Sequence, residues 1–215
     1  MPCKILVALL VSLATVLPAR SEVKPCPSTQ APGWSEQLRQ LFPECENDVP
    51  SPDGKLKFHI GGAEKFSVLS GGRPLTVVGR DDLPLPAVIS WSPRSDMFFV
   101  NDGGGSGLSS KLRLFDTVGS SVKEYGVLNN SVRRTYRTRI GCSRSASNPN
   151  VYGVGWSSDG KKLYAIAQAT VNAPCGYPAD YLGFVVDATT HGVVSVLTAA
   201  QAKAAFGQLL PAELQ

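Results

Sequence analysis

The chain has 215 residues, 43% of them hydrophobic and 18% charged, with 21 Gly and 16 Pro. That length sets one domain, or one domain with an appendage, and the apolar share excludes disorder as the default. The formal net charge of +4 is too small to argue for a nucleic-acid partner by itself.

In chain order, the first residues read as a targeting segment. Lys4 supplies a positive start, Ile5 to Leu17 is apolar apart from Ser12 and Thr15, and Ala19-Arg20-Ser21 offers small residues for a signal peptidase. The expectation is a cleaved secretory signal over residues 1–21. A membrane anchor fits less well, because spanning takes about 20 apolar residues. No later apolar run approaches that length, so the mature chain is expected to be soluble, without a transmembrane segment, and periplasmic or secreted. Its Cys26 lacks the small-residue context of a lipoprotein cysteine. Losing residues 1–21 removes Lys4 and Arg20 and no acid, so the net charge falls from +4 to +2.

Cys3 leaves with the signal, and Cys26, Cys45, Cys142 and Cys175 remain as an even set for an oxidising compartment. Three pairings are open. Cys26–Cys45 and Cys142–Cys175 are favoured because each closes one local excursion, contributing about 3 to 4 kcal/mol in the chain-entropy picture. A zinc site needs closely spaced ligand pairs such as C-x-x-C. The chain has none, and neither metal nor cofactor is expected.

Residues 22–50 form a polar, Pro-rich extension. Within it Ser35 to Phe42 is a short helix candidate, capped by Ser35 and stopped by Pro43, with Leu38, Leu41 and Phe42 on one face. From residue 51 to 197 the texture changes to short β-branched or alternating runs between turn residues. The expected strands are 55–60, 66–70, 75–79, 87–91, 97–101, 111–116, 122–128, 151–156, 162–168, 181–187 and 193–197. Thr198-Ala199-Ala200-Gln201 is a capping box that opens a final helix in segment 198–215. Gly207 ends that helix, and Leu209 and Leu210 follow as a tail fit to pack on a sheet.

Three stretches within the strand-rich region look alike: Ser51-Pro52-Asp53-Gly54-Lys55-Leu56, Trp91-Ser92-Pro93-Arg94-Ser95-Asp96-Met97, and Trp156-Ser157-Ser158-Asp159-Gly160-Lys161-Lys162-Leu163. Here the chain resembles the TolB-like, WD40-like β-propeller repeats, whose hallmark is a W-S-P-D-G-K hairpin; Arg94-Ser95-Asp96 departs from it. The resemblance covers roughly residues 50–197. The eleven strands indicate an all-β fold; the resemblance implies about three four-stranded antiparallel propeller-blade-like sheets, to which the residues add short N-terminal and C-terminal helices. The first unit would begin at its second strand. Closed propellers use 4 to 8 blades, so an open stack under terminal caps is expected, or two chains completing one ring as a homodimer. The end of the chain also resembles uncharacterised exported bacterial proteins.

The most unusual local feature is the run Val132 to Arg139. If extended, it places Arg133, Thr135, Arg137 and Arg139 on one face and Arg134, Tyr136 and Thr138 on the other. Four guanidiniums beside Tyr136 suit an anionic partner; the alternative is a solvated charge run. The Gly-rich loop at 102–107 lacks phosphate-loop spacing and has too few oxygen ligands for calcium, so it reads as a strand connection. His59 and His191 sit in no nucleophile–base motif, and Asp81-Asp82 reads as a solvated turn. The leading expectation is therefore a non-enzymatic binding module for a protein, glycan or anionic envelope component. Its rim would be built from Arg133, Arg134, Tyr136, Arg137, Arg139 and Tyr177, tied by Cys142–Cys175. A hydrolase or lyase with acid and base on separate loops is the alternative.

Overall fold

The computed structural model describes residues 24–27, 29–61, 65–104, 109–141, 148–170 and 181–215. Among these residues fourteen strands and two α-helices follow in chain order: β1 Arg39–Leu41, β2 Asn47–Pro50, β3 Leu56–Ile60, β4 Phe66–Ser70, β5 Arg73–Pro74, β6 Thr76–Val78, β7 Ala87–Trp91, β8 Met97–Asp102, β9 Lys111–Val118, β10 Ser121–Glu124, α1 Val127–Arg139, β11 Asn150–Trp156, β12 Lys162–Gln168, β13 Tyr181–Asp187, β14 Val193–Leu197 and α2 Ala199–Phe206. They build three sheets, in the orders β2-β3-β4-β5, β1-β7-β8-β9-β10-β6 and β11-β12-β13-β14. The first and third are four-stranded and antiparallel. Among the described residues the sheets do not close a propeller ring. No described helix is long and apolar enough to cross a membrane.

Each of the three look-alike stretches folds into the same hairpin. In every one a serine N–H bonds across the turn, from Ser51 to Leu56 O (2.9 Å), Ser92 to Met97 O (2.8 Å) and Ser157 to Lys162 O (2.9 Å). The serine hydroxyl donates to an aspartate, Ser51 to Asp53 (2.8 Å), Ser92 to Asp96 (2.8 Å) and Ser157 to Asp159 (2.7 Å). The turn residue has positive φ at Gly54 (72°), Ser95 (63°) and Gly160 (67°), a conformation glycine reaches without strain. Ser95 holds it with a side chain whose hydroxyl accepts the Asp53 N–H at 3.1 Å, which accounts for the departure in the second hairpin. A backbone N–H and the serine hydroxyl bond the Asp53 carboxylate and hold its pKa at about 2.

Trp91 and Trp156 occupy equivalent settings. The Trp91 indole N–H donates to Val49 O (3.1 Å), and that of Trp156 to Ser90 O (3.4 Å). Each thus reaches the inner strand of the preceding sheet one residue before its own counterpart position. Large aromatics placed this way fill the space between sheets. Phe58, Phe66, Phe98 and Phe115 stack between the first and second sheets. Phe99, Leu114, Trp156, Leu163 and Phe184 pack between the second and third. At that second interface Asn101 pairs with Gly153 as a strand would, donating to its carbonyl (2.8 Å) and accepting its N–H (2.7 Å). A Cβ on Gly153 would lie 2.6 Å from the buried Phe99 ring.

The ends of the stack differ. The outer face of the first sheet is polar: Asp48 bonds both Lys57 and His59 at 2.8 Å. The outer face of the third is apolar and is covered by α2 and the tail, where Ala202, Phe206, Leu209 and Leu210 bury Val154, Ile166 and Tyr181. The capping box expected at α2 is present, with Gln201 accepting the Thr198 N–H (2.9 Å) and Thr198 accepting that of Gln201 (3.3 Å).

Three sequence expectations are overturned. No helix forms over 35–42: residues 39–41 are β1, paired antiparallel with β7. Leu38 and Leu41 are fully buried, but by a turn and an edge strand, whose backbone bonds to a neighbouring strand outweigh those of a short local helix. Gln37 serves the adjacent inner edge, accepting the Trp156 N–H (2.6 Å) and donating to its carbonyl (3.2 Å). Second, the first sheet opens with β2, and the 75–79 run leaves it, as β6, to pair in parallel with β10; with β1 at one edge and β6 at the other, the second sheet has six strands rather than four. Third, the 122–128 strand stops at Glu124 and α1 follows.

The disulfide Cys26–Cys45 is formed (S–S 2.05 Å), and Asn47 fastens the chain beside it, donating to the Phe42, Cys45 and Ile60 carbonyls. Cys142 and Cys175 lie outside the described residues.

Two stability predictions follow from this packing. Gly153→Ala is expected to lower the unfolding free energy by about 1 to 3 kcal/mol through overpacking against Phe99, read as a lower midpoint in urea at unchanged slope. The double variant Cys26→Ser with Cys45→Ser is expected to cost about 3 kcal/mol in the same measurement.

Candidate functional site

The arginine run is a helix, not an extended segment. Leu128, Val132 and Tyr136 recur every four residues and are fully buried against the second and third sheets. That stripe fixes a helical period, and the alternation of arginines that suggests period two in the sequence is incidental to it. Tyr136, 1% exposed, therefore belongs to the core and not to a surface rim. Tyr177 lies outside the described residues.

On the helix, Asn130, Arg133, Arg134 and Arg137 stand at i, i+3, i+4 and i+7 and share a face. With Asn148 from the approach to β11 they line a cavity of about 360 Å³. Arg139 is placed apart, in a separate recess with Leu182, Val196, Thr198 and Gln201. The structure thus assembles three of the four expected arginines and adds two asparagines, whose contribution a strand-based reading had no means of finding.

The helix is anchored at its N-terminal end. Asn129 accepts the Leu112 N–H (3.2 Å), and just before α1 the Tyr125 ring stacks on His191 of the third sheet's last turn, 3.5 Å between centroids. Tyr125 also donates to Asp116 (3.3 Å). Burial lowers the His191 pKa below its usual value, against the opposing pull of Asp116 and Asp187.

The charge balance sets this face apart. The sequence of α1 contains no Asp or Glu, and among the described residues no carboxylate forms an ion pair with Arg133, Arg134, Arg137 or Arg139. Arg137 and Arg139, in the last turn, offset the negative end of the helix dipole; Arg133 and Arg134 lie further from it. Arg133 is half-buried. Its Nη2 donates to Ser110 O (3.2 Å), while its Nε is sealed from solvent with no acceptor among the described residues. Burial, and then the adjacent Arg137, push its pKa down. Arg137 donates to Asn148 Oδ1 (3.3 Å). Buried Arg113 shows the opposite arrangement: Glu124 takes it at 2.9 and 2.8 Å, and the Asp82 and Arg80 carbonyls at 2.6 and 2.7 Å. The Asp81-Asp82 segment is thus pinned through its backbone rather than simply solvated.

Two other places merit comparison. A larger cavity, about 450 Å³, lies where the first two sheets meet the β1 segment, lined by Trp91, Pro50, Pro52, Pro93, Glu36 and Arg39 among others. Arg39 there donates to the Glu36 and Leu38 carbonyls, so it holds the local chain rather than facing a ligand. On the outer face of the first sheet, Asp48, His59 and Ser67 stand in register across β2, β3 and β4. Asp48 holds His59 Nδ1, but Ser67 makes no hydrogen bond to the ring. Lys57 shares the Asp48 carboxylate, as in a solvated ion-pair network.

No model of a known protein family matches the chain, and no curated protein matches it.

A pH dependence follows from His191. Protonation is favoured in the unfolded chain over the folded one, so stability is complete above pH 6.5 and declines as pH falls through that value. His191→Asn, which tolerates the positive φ of 57° there, is expected to flatten the stability profile between pH 7 and 5. Thermal midpoints across that range measure it; an unchanged slope would contradict this assignment.

Proposed function

We propose that the chain is an exported, non-enzymatic binding module that engages an anionic envelope component through the α1 face formed by Asn130, Arg133, Arg134 and Arg137 with Asn148. The carrying observation is Arg133: a half-buried guanidinium, beside two more, with no carboxylate against it among the described residues. Holding uncompensated positive charge out of water is costly, and an anion supplied by a partner offsets that cost. Arginine suits this role because its planar fork pairs with oxyanions. The Cys26–Cys45 bond favours an oxidising compartment, in line with a periplasmic or secreted protein. The three matching hairpins support kinship with TolB-like repeats, used here as an open stack. The polar outer face of the first sheet and the α2 cover on the third favour a stack that needs no second chain to complete it.

Replacing Arg133, Arg134 and Arg137 together with serine is expected to abolish retention on immobilised heparin at about 0.15 M salt, where screening acts over roughly 8 Å. Arg139→Ser alone is expected to leave retention close to the parent. Folding of each variant is checked by its thermal midpoint. A folded triple variant that is still retained would overturn the reading.

A further inference from the structure

The chemistry lining the α1 cavity narrows the anion it takes; this step rests on the reading just given. The five side chains are three arginines and two asparagines. Guanidiniums only donate hydrogen bonds, and an asparagine offers a single acceptor oxygen. The Asn148 oxygen already accepts from Arg137, so the cavity presents a surface almost wholly of donors. A ligand that satisfies it is rich in acceptors and poor in donors.

The number and direction of the forks matter next. Arg133, Arg134 and Arg137 lie at i, i+1 and i+4 on one helix, so their guanidiniums reach the cavity from three separate positions on the shared face. Arg133 has one Nη on Ser110 O, and Arg137 has one Nη on Asn148. The Arg134 guanidinium has no hydrogen-bond or ion-pair partner among the described residues, its backbone carbonyl alone accepting from the Thr138 hydroxyl outside the helix ladder (3.1 Å). A carboxylate has two oxygens in one plane and is matched by one arginine fork. Serving three guanidiniums takes three oxygens that diverge in space, which a tetrahedral oxyanion carrying a single ester link provides. Charge points the same way. Three cations without a counter-charge are better balanced by a dianion than by a monoanion, and a phosphate monoester carries about −1.5 to −2 at pH 7.

We infer that the α1 cavity is a phosphomonoester site: Arg133, Arg134 and Arg137 grip the three terminal oxygens of one phosphate, and Asn130 and Asn148 flank it. A phosphodiester, with two terminal oxygens and one charge, is a poor match, as is a simple carboxylate.

Calorimetric titration of the full mature chain with glycerol 3-phosphate, dimethyl phosphate and acetate tests this. The monoester is expected to bind at least about tenfold more tightly than the other two. Its affinity is expected to fall about fourfold from pH 7.5 to 5.5, because the second phosphate ionisation lies near pH 6 while the arginines stay charged. Arg134→Lys, which keeps the charge and loses the fork, is expected to weaken the monoester more than acetate. Co-sedimentation with phosphatidylcholine vesicles containing phosphatidic acid, against vesicles containing phosphatidylglycerol, separates a lipid headgroup from a soluble or polymer-borne ester. Capture by phosphatidic acid vesicles alone assigns the lipid source. Titration by glycerol 3-phosphate without vesicle capture assigns the other source, and both results uphold the chemistry. Equal binding of acetate or dimethyl phosphate, or an affinity unchanged by pH, overturns the phosphomonoester assignment even where heparin retention still depends on the three arginines. Loss of that dependence overturns the underlying anion reading instead.

Discussion

The indole N–H groups of Trp91 and Trp156 each reach out of their own sheet to a backbone carbonyl in the sheet before it. This bond sets how far each sheet is shifted and turned against its neighbour. A buried N–H left without an acceptor would cost about 1 to 3 kcal/mol, so the second and third sheets are held in one relation to their predecessors, Trp91 over Val49 O and Trp156 over Ser90 O. The rest of the molecule follows from that relation. It brings the phenylalanine stack into the first interface and lets Asn101 meet Gly153 in the second. It also leaves a gap along the second interface that Leu128, Val132 and Tyr136 of α1 fill. The position of the arginines on the outer side of α1 is thus a distant result of where two indoles find their acceptors.

Much of this was legible in the residues. Turn chemistry marked the three hairpins, because a serine, an aspartate and a residue able to take positive φ do local work that depends little on the rest of the chain. Strands such as Phe66–Ser70, Ala87–Trp91, Lys162–Gln168 and Tyr181–Asp187 were readable for the same reason, being apolar runs between clear punctuation. What stayed hidden was decided by distant partners. Ser35 to Phe42 has a respectable helical pattern, and only the free edge of β7 makes Arg39–Leu41 a strand. Thr76–Val78 looks like the last strand of its own unit until β10 offers a parallel edge. The basic run misled differently: its arginines alternate while its core residues recur every fourth position, and the conspicuous residues carried the wrong period.

The candidate site was half visible. Sequence alone drew attention to a cluster of guanidiniums, but the separation of Arg139 from the other three, the burial of Tyr136 and the arrival of Asn148 all depend on the chain being helical there. Arg113 and Arg133 make the contrast plain. Both are withdrawn from water, yet one is fully matched by Glu124 and two carbonyls, and the other has a single carbonyl. Arg113 fastens the fold. Arg133 is stabilised less than it is strained electrostatically, the kind of imbalance that proteins tolerate where a ligand completes the set.

The unlike ends of the stack carry an evolutionary consequence. A duplicated unit appended beyond Leu197 would collide with the α2 lid, and one inserted ahead of Asn47 would press an apolar underside onto Asp48, Lys57 and His59. Only the interior junctions, where one indole already hands on to the next sheet, could accept a further copy without rebuilding a terminus. Lengthened descendants of this architecture would therefore be expected to keep both outermost faces intact and vary in the middle.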